Sequence, residues 1–250
     1  MAEKLWYEME SVPSNGIAYP ENWKISITPF SFGDVLNFAR AREVGVGAFK
    51  KMMEGIKCNF DKGNLLPADV LYLGLYRKLV STKHCKIEFE SECPVCAKTN
   101  KKVMELKDLK FKDIEVPALP IIAELEAGTL EFQPITMNKF FECHSKHKDD
   151  PMWMLAYSVT NMTPEEARVI IMEAVGIDKE VIEEVVKMLD FGLKPIEFEC
   201  QDEFCDNIIS VQLENPETVV FPFRGSDESP KRRIKFGHES SESSERSAES

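Results

Sequence analysis

The chain has 250 residues, of which 43% are hydrophobic and 30% charged, an ordinary globular balance with room for one large domain or two modest ones. Its net charge of -12 argues against a dedicated nucleic-acid binder, which needs a basic face to displace counterions. No apolar run approaches the ~20 residues of a membrane span. The start, Met1-Ala2-Glu3-Lys4-Leu5-Trp6, lacks the basic opening and apolar core of a signal peptide, so a cytosolic protein is expected. In a reducing compartment, an odd number of cysteines, seven here, fits metal ligation better than disulfides.

In chain order, residues 1–30 read as extended and turn-rich. Ser14-Asn15-Gly16 is a turn signal, and the alternating run Trp23 to Thr28 reads as a strand between Pro20 and Pro29. Ser31 is placed to cap a helix carrying Phe32, Val35, Leu36 and Ala39. A second helix is expected through Phe49, Met52, Met53 and Ile56. After a Gly63-Asn64 loop, Pro67 suits the first position of a third helix with the stripe Leu71, Leu75 and Leu79. Asp69 and Arg77 share a face of that helix, as an ion pair or as exposed charges.

Two cysteine pairs follow, far apart but in matched settings. The first reads Ile87-Glu88-Phe89-Glu90-Ser91-Glu92-Cys93-Pro94-Val95-Cys96, and Val103, Met104 and Leu106 come after it. The second reads Ile196-Glu197-Phe198-Glu199-Cys200-Gln201-Asp202-Glu203-Phe204-Cys205, followed by Ile208, Ile209, Val211 and Leu213. Each looks like strand, cysteine knuckle, strand. Two knuckles offering four thiolates make a zinc ribbon, since zinc takes four sulfurs in a tetrahedron and each short turn converges two of them. The competing readings are ordinary buried cysteines or, for Cys93 and Cys96, a redox pair. No thioredoxin-like βαβ pattern surrounds the motif to favour redox chemistry.

Between the knuckles the chain reads as a helical insert. A short helix is expected around Ile121 to Glu126, ending near Gly128, and helix resumes from Thr136. Thr163-Pro164-Glu165-Glu166 is a capping box, Gly176 can close that helix, and Asp178 can cap the next one, whose stripe is Val181, Ile182, Val185, Val186 and Leu189. Met137, Phe140, Phe141, Met152, Trp153 and Met154 form either the insert's own core or a platform for a partner. Cys143, His144 and His147 resemble half a metal site, which only His84 and Cys85 could complete; packing or surface roles are commoner for such residues. No nucleophile elbow, P-loop, dinucleotide fingerprint or zincin motif is present. Beyond Arg224 the composition turns to serine and glutamate, with Lys231-Arg232-Arg233 as a basic cluster, and reads as disordered.

The fold class expected is α+β, mainly helical, with a four-cysteine zinc ribbon built from two distant β-hairpin knuckles that enclose a helical insert. The parts are residues 1–114, with the first knuckle; the insert, 115–194; the second knuckle, 195–223; and the tail, 224–250.

The run Pro13-Ser14-Asn15-Gly16-Ile17-Ala18-Tyr19-Pro20, the helix bearing Asp69 and Arg77, the knuckle Cys93-Pro94-Val95-Cys96 and a second cysteine pair near the C-terminus resemble the baseplate hub proteins of T-even-type contractile-tailed bacteriophages. More narrowly, the chain is similar to their hub subunit or hub assembly chaperone over about residues 11–223. The second pair here is looser than a C-x-x-C. The resemblance implies a non-enzymatic protein that joins or assists hub assembly in the host cytoplasm, or in the virion, with other hub proteins as partners and no small-molecule substrate. Structural zinc would sit on Cys93, Cys96, Cys200 and Cys205. The alternative is a zinc-ribbon adaptor for nucleic acid or a transcription-type complex. Its basis is Lys98, Lys101, Lys102, Lys107, Lys110 and Lys112, the basic concentration around the first knuckle.

Overall fold

A computed structural model of the chain describes residues 5–31, 33–34, 46–81, 86–114, 116, 118–148 and 150–211. The architecture is mixed α+β, with six α-helices and four small antiparallel sheets among the described residues. The first sheet joins β1 (Tyr7–Glu8), β2 (Ile25–Ile27) and β3 (Ile56–Cys58), with β2 in the middle. The alternating run between Pro20 and Pro29 thus supplies a central strand, and Ile25 and Ile27 are fully buried. Helix α1 (Val46–Glu54) precedes β3. Ile56, expected in that helix, is instead the first residue of β3, where it pairs with Ile27. Gly55 ends the helix, and only glycine fits there: a Cβ would lie 2.0 Å from the Arg77 guanidinium.

Helix α2 (Pro67–Ser81) is the pillar of this half. Val70, Leu73, Leu75 and Leu79 are buried, and so are Asp69 and Arg77. The two charged residues are neither paired with each other nor exposed. Asp69 accepts hydrogen bonds from the Ser14 backbone N–H at 2.9 Å, from the Ser14 hydroxyl and from the Tyr19 hydroxyl. Arg77 donates to the Thr28 carbonyl at 2.8 Å and the Met52 carbonyl at 2.7 Å, with its guanidinium 4.0 Å from the Phe30 ring centroid. Each therefore clamps a different stretch of the N-terminal chain onto α2. Burial lowers the Arg77 pKa to about 10 and raises that of Asp69, the directions desolvation imposes on a cation and an anion. The helix expected from Ser31 falls mostly outside the described residues, although the Asp34 N–H does bond the Ser31 hydroxyl oxygen.

Two hairpins follow the pillar at very different points of the chain. One is β4 (Lys86–Glu92) with β5 (Thr99–Glu105), in register from Lys86 opposite Glu105 to Glu92 opposite Thr99. The other is β8 (Ile196–Glu199) with β9 (Ile208–Val211). Ile196 and Phe198 alternate inward with Glu197 and Glu199 outward, as the pattern predicts. Phe89, Ile196, Phe198 and Ile209 join the same buried cluster as β2 and α2. Leu213, expected in the last strand, and the tail 224–250 lie outside the described residues.

The segment between the hairpins builds a second buried cluster from Ala123, Leu130, Phe132, Ala156, Val159, Ala167, Ile171, Ile182 and Val185. The short helix expected around Ile121 to Glu126 is a strand. β6 (Ile121–Leu125) turns back into β7 (Gly128–Phe132), with Leu125 opposite Gly128. The chain leaves the two-residue turn through Gly128, at a φ of 137° that side-chain-bearing residues rarely adopt, and the hairpin buries Ala123, Leu130 and Phe132. Helices α3 (Met137–His147), α4 (Pro151–Ser158), α5 (Pro164–Glu173) and α6 (Ile177–Met188) complete the segment. The Thr163–Glu166 capping box forms as expected. Gly176, at φ 58°, is the N-cap of α6, and Asp178 sits inside that helix, accepting the Glu126 N–H at 3.0 Å across to the hairpin turn. At the base of the segment, Phe111 bridges Leu193, Lys112 N–H bonds the Gly192 carbonyl, and Lys194 N–H bonds the Lys110 carbonyl. The segment's two ends are thus tied together beside the hairpins.

Candidate metal centre

The turns of the two hairpins bring Cys93, Cys96, Cys200 and Cys205 together, with all four sulfurs within 4.8 Å of one another. The Sγ atoms of Cys93 and Cys205 are 3.7 Å apart, and those of Cys96 and Cys200 are 3.5 Å apart. A tetrahedron of sulfurs at about 2.3 Å from a zinc ion has edges of about 3.8 Å, so the sulfurs stand at the spacing of a four-thiolate shell. Each pair spans the two hairpins, which makes the cluster a cross-link between chain segments more than a hundred residues apart in sequence.

Backbone geometry sets each knuckle. In the first, Cys93 N–H bonds the Lys98 carbonyl and Ala97 N–H bonds the Cys93 carbonyl, each at 2.9 Å; Ala97 takes a left-handed φ of 58° to close the turn. In the second, Cys200 N–H bonds the Asn207 carbonyl at 2.9 Å, Cys205 N–H bonds the Asp202 carbonyl at 3.0 Å, and Phe204 N–H bonds the Asp202 side chain. This wider turn holds four residues between its cysteines where the first holds two, and it absorbs the extra two without parting its sulfurs from the first pair. Asn207 also points its amide at the Cys93 sulfur, 3.5 Å away.

The thiols influence one another strongly. The Cys96 and Val95 backbone N–H groups and the neighbouring thiols lower the Cys93 pKa to about 6, against burial. Cys205 goes the other way, up to about 12: the Asn207 backbone donor pulls it down, but desolvation and the three neighbouring thiols outweigh that. Such a set ionises one member easily and resists a second negative charge. A cation removes that resistance, because a metal-bound thiol is deprotonated outright.

Asn100 carries no signal in the sequence and is central to the arrangement. It is fully buried. Its amide donates to the Lys98 carbonyl at 2.6 Å, and its carbonyl oxygen accepts the Gln201 backbone N–H at 2.6 Å. The Gln201 side chain returns a bond to the Lys101 carbonyl, and Lys98 reaches the Gln201 carbonyl. One side chain therefore stitches the two knuckles independently of the sulfurs. Asn100→Ala removes both bonds and leaves the Gln201 N–H without its acceptor, while the Lys98 carbonyl keeps the Cys93 N–H. Its expected cost is about 1–3 kcal/mol; urea unfolding followed by circular dichroism measures it, and a loss below about 0.5 kcal/mol contradicts the role.

The other candidates do not converge. Cys143 is buried in its helix, and the His147 ring stacks on Trp153 at 3.6 Å between centroids. His84 and Cys85 lie outside the described residues. Among those residues no second group of three or more His, Cys, Asp or Glu ligands comes together. Of the lysines near the first knuckle, Lys98 pairs with Asp202, Lys101 with Glu90, Lys107 with Glu105 and Lys112 with Asp190. None of Met137, Phe140, Phe141, Met152, Trp153 and Met154 stands exposed: Met137 joins the first buried cluster, Phe140 and Phe141 pack against it, and Met152 and Trp153 pack against the second. The described residues contain no helix long and apolar enough to cross a membrane. No family model, no curated protein and no solved structure matches the chain.

Proposed function

We propose that this chain is a non-enzymatic assembly factor or subunit of the contractile-tail baseplate hub of a bacteriophage, and that Cys93, Cys96, Cys200 and Cys205 hold a structural zinc ion that makes its two hairpins a zinc ribbon. The observation that carries the metal is the cross-paired four-sulfur cluster with edges of 3.5 and 3.7 Å. Four protein sulfurs fill the coordination of zinc and leave no position for water or substrate, which is the character of a structural site.

Two observations support action through protein contacts. Val95 and Phe204 stand at the tips of the two knuckles, 71% and 96% exposed, and the metal would hold these apolar tips side by side. Among the residues on which the resemblance to hub proteins rests, Asp69 accepts hydrogen bonds from Ser14 and Tyr19, and Arg77 bonds the Thr28 carbonyl just after β2. The adaptor alternative loses part of its electrostatic footing, since four of the six lysines near the first knuckle are paired with carboxylates. Affinity purification of the tagged full chain from infected cells, with mass spectrometry of what accompanies it, is expected to recover baseplate hub proteins. Recovery of nucleic acid or polymerase subunits in their place contradicts the assignment.

A further inference from the structure

Helix α5 turns Ala167 and Ile171 into the second core, yet its outer face is not polar. Val169 and Met172, one helical turn apart, are 53% and 54% exposed, and Val175 and Ile177, on either side of Gly176 in the turn to α6, are 77% and 78% exposed. Isolated exposed apolar residues are ordinary, but four large ones this close along the chain, from Val169 to Ile177, make a concentration of the kind that marks an interaction surface. Glu165, Glu173 and Glu180, all exposed, border it. The chemistry that fits is therefore a segment with apolar anchors set between cations.

The chain carries one such segment. In Lys231-Arg232-Arg233-Ile234-Lys235-Phe236 the residues Ile234 and Phe236 are two apart, so bound in extended form they would face the same way, and the long stems of Arg233 and Lys235 would reach back to a carboxylate rim. Its tether starts at Val211, the end of β9. Over the 23 residues from there to Ile234 an extended chain reaches about 75 Å, well beyond the ~45 Å diameter of a compact chain of this length. A tether of this kind supplies an effective concentration near the millimolar range, so weak contacts suffice.

We propose that the acidic-rimmed apolar surface of α5 and the α5–α6 turn is a docking site for the chain's own Lys231–Phe236 segment. The inference stands apart from the metal and from the hub assignment. Its test uses the full chain with p-benzoylphenylalanine in place of Phe236, irradiated and mapped by mass spectrometry, in a mixture of isotope-labelled and unlabelled protein. The expected result is cross-linking to residues 165–180 within the same molecule, weakened by salt and lost in Ile177→Asp and in the tail variant Arg232→Glu/Arg233→Glu. Circular dichroism verifies that both the Ile177→Asp protein and the tail variant are folded. Cross-links to other surfaces, cross-links between labelled and unlabelled molecules, or a yield unaffected by both variants would each overturn the proposal.

Discussion

Cys200→Ser protein is expected to lose its metal and the order of both hairpins together. The serine hydroxyl is a poor zinc ligand, and three sulfurs cannot complete the proposed four-thiolate shell across the Cys96–Cys200 and Cys93–Cys205 contacts. Structural zinc contributes on the order of 10 kcal/mol to the folding of a small ribbon, comparable to the whole stability of a typical domain, about 5–15 kcal/mol. The damage cannot stay local, because Phe89, Ile196, Phe198 and Ile209 belong to the same buried cluster as Ile25, Ile27 and Leu73. Chelation of the wild-type protein should act in the same direction. Thermal unfolding with and without a zinc chelator measures both effects. A Cys200→Ser protein with an unchanged midpoint would show that packing and the Asn100 bonds hold the hairpins without the metal.

The second large effect is expected at Asp69. Asp69→Ala removes the acceptor for two buried donors on Ser14 and for the Tyr19 hydroxyl, and each buried donor left without a partner costs about 1–3 kcal/mol. A loss of about 3–5 kcal/mol follows, with release of the turn that Ser14 to Tyr19 forms. Asp69→Asn keeps an oxygen for the Ser14 N–H and should lose less. Urea unfolding gives the stability change and fluorescence of Trp23, which packs beside Tyr19 at 6.2 Å between ring centroids, reports the turn. A loss below 1 kcal/mol in Asp69→Ala would contradict the clamp.

Both sites show what a sequence conveys and what it withholds. The cysteine cluster was legible because each pair converges through a short local turn, and the repeated Ile-Glu-Phe-Glu runs announce β4 and β8, with Ile196 and Phe198 inward and Glu197 and Glu199 outward in β8 and Phe89 buried beside exposed Glu90 in β4. The shared face of Asp69 and Arg77 was equally visible. Their partners were not, because Ser14, Tyr19, Thr28 and Met52 reach them through tertiary folding that no helical period encodes. The five residues Ile121–Leu125 are too few to separate a helical from a strand period, and pairing with Gly128–Phe132 decides for strand. Ile56 fits the helical stripe of α1, yet the close approach of Arg77 at Gly55 ends that helix and hands Ile56 to β3. Asn100 had no signal at all: its role exists only once Gln201 lies against it. Met137, Phe140, Phe141, Met152 and Trp153 belong to or pack against the two cores, and the exposed large apolar residues lie further along, from Val169 to Ile177.

The central claim is that four thiolates hold one zinc ion between the two hairpins, and metal content tests it most directly. Full-length protein purified without chelator and analysed by inductively coupled plasma mass spectrometry should carry one zinc per chain. Cobalt substitution should give the absorption of a tetrahedral four-thiolate centre, and both signals should vanish in Cys96→Ser and Cys205→Ser proteins. Folded wild-type protein that holds no zinc, and whose four cysteines react freely with a thiol reagent, would contradict the account.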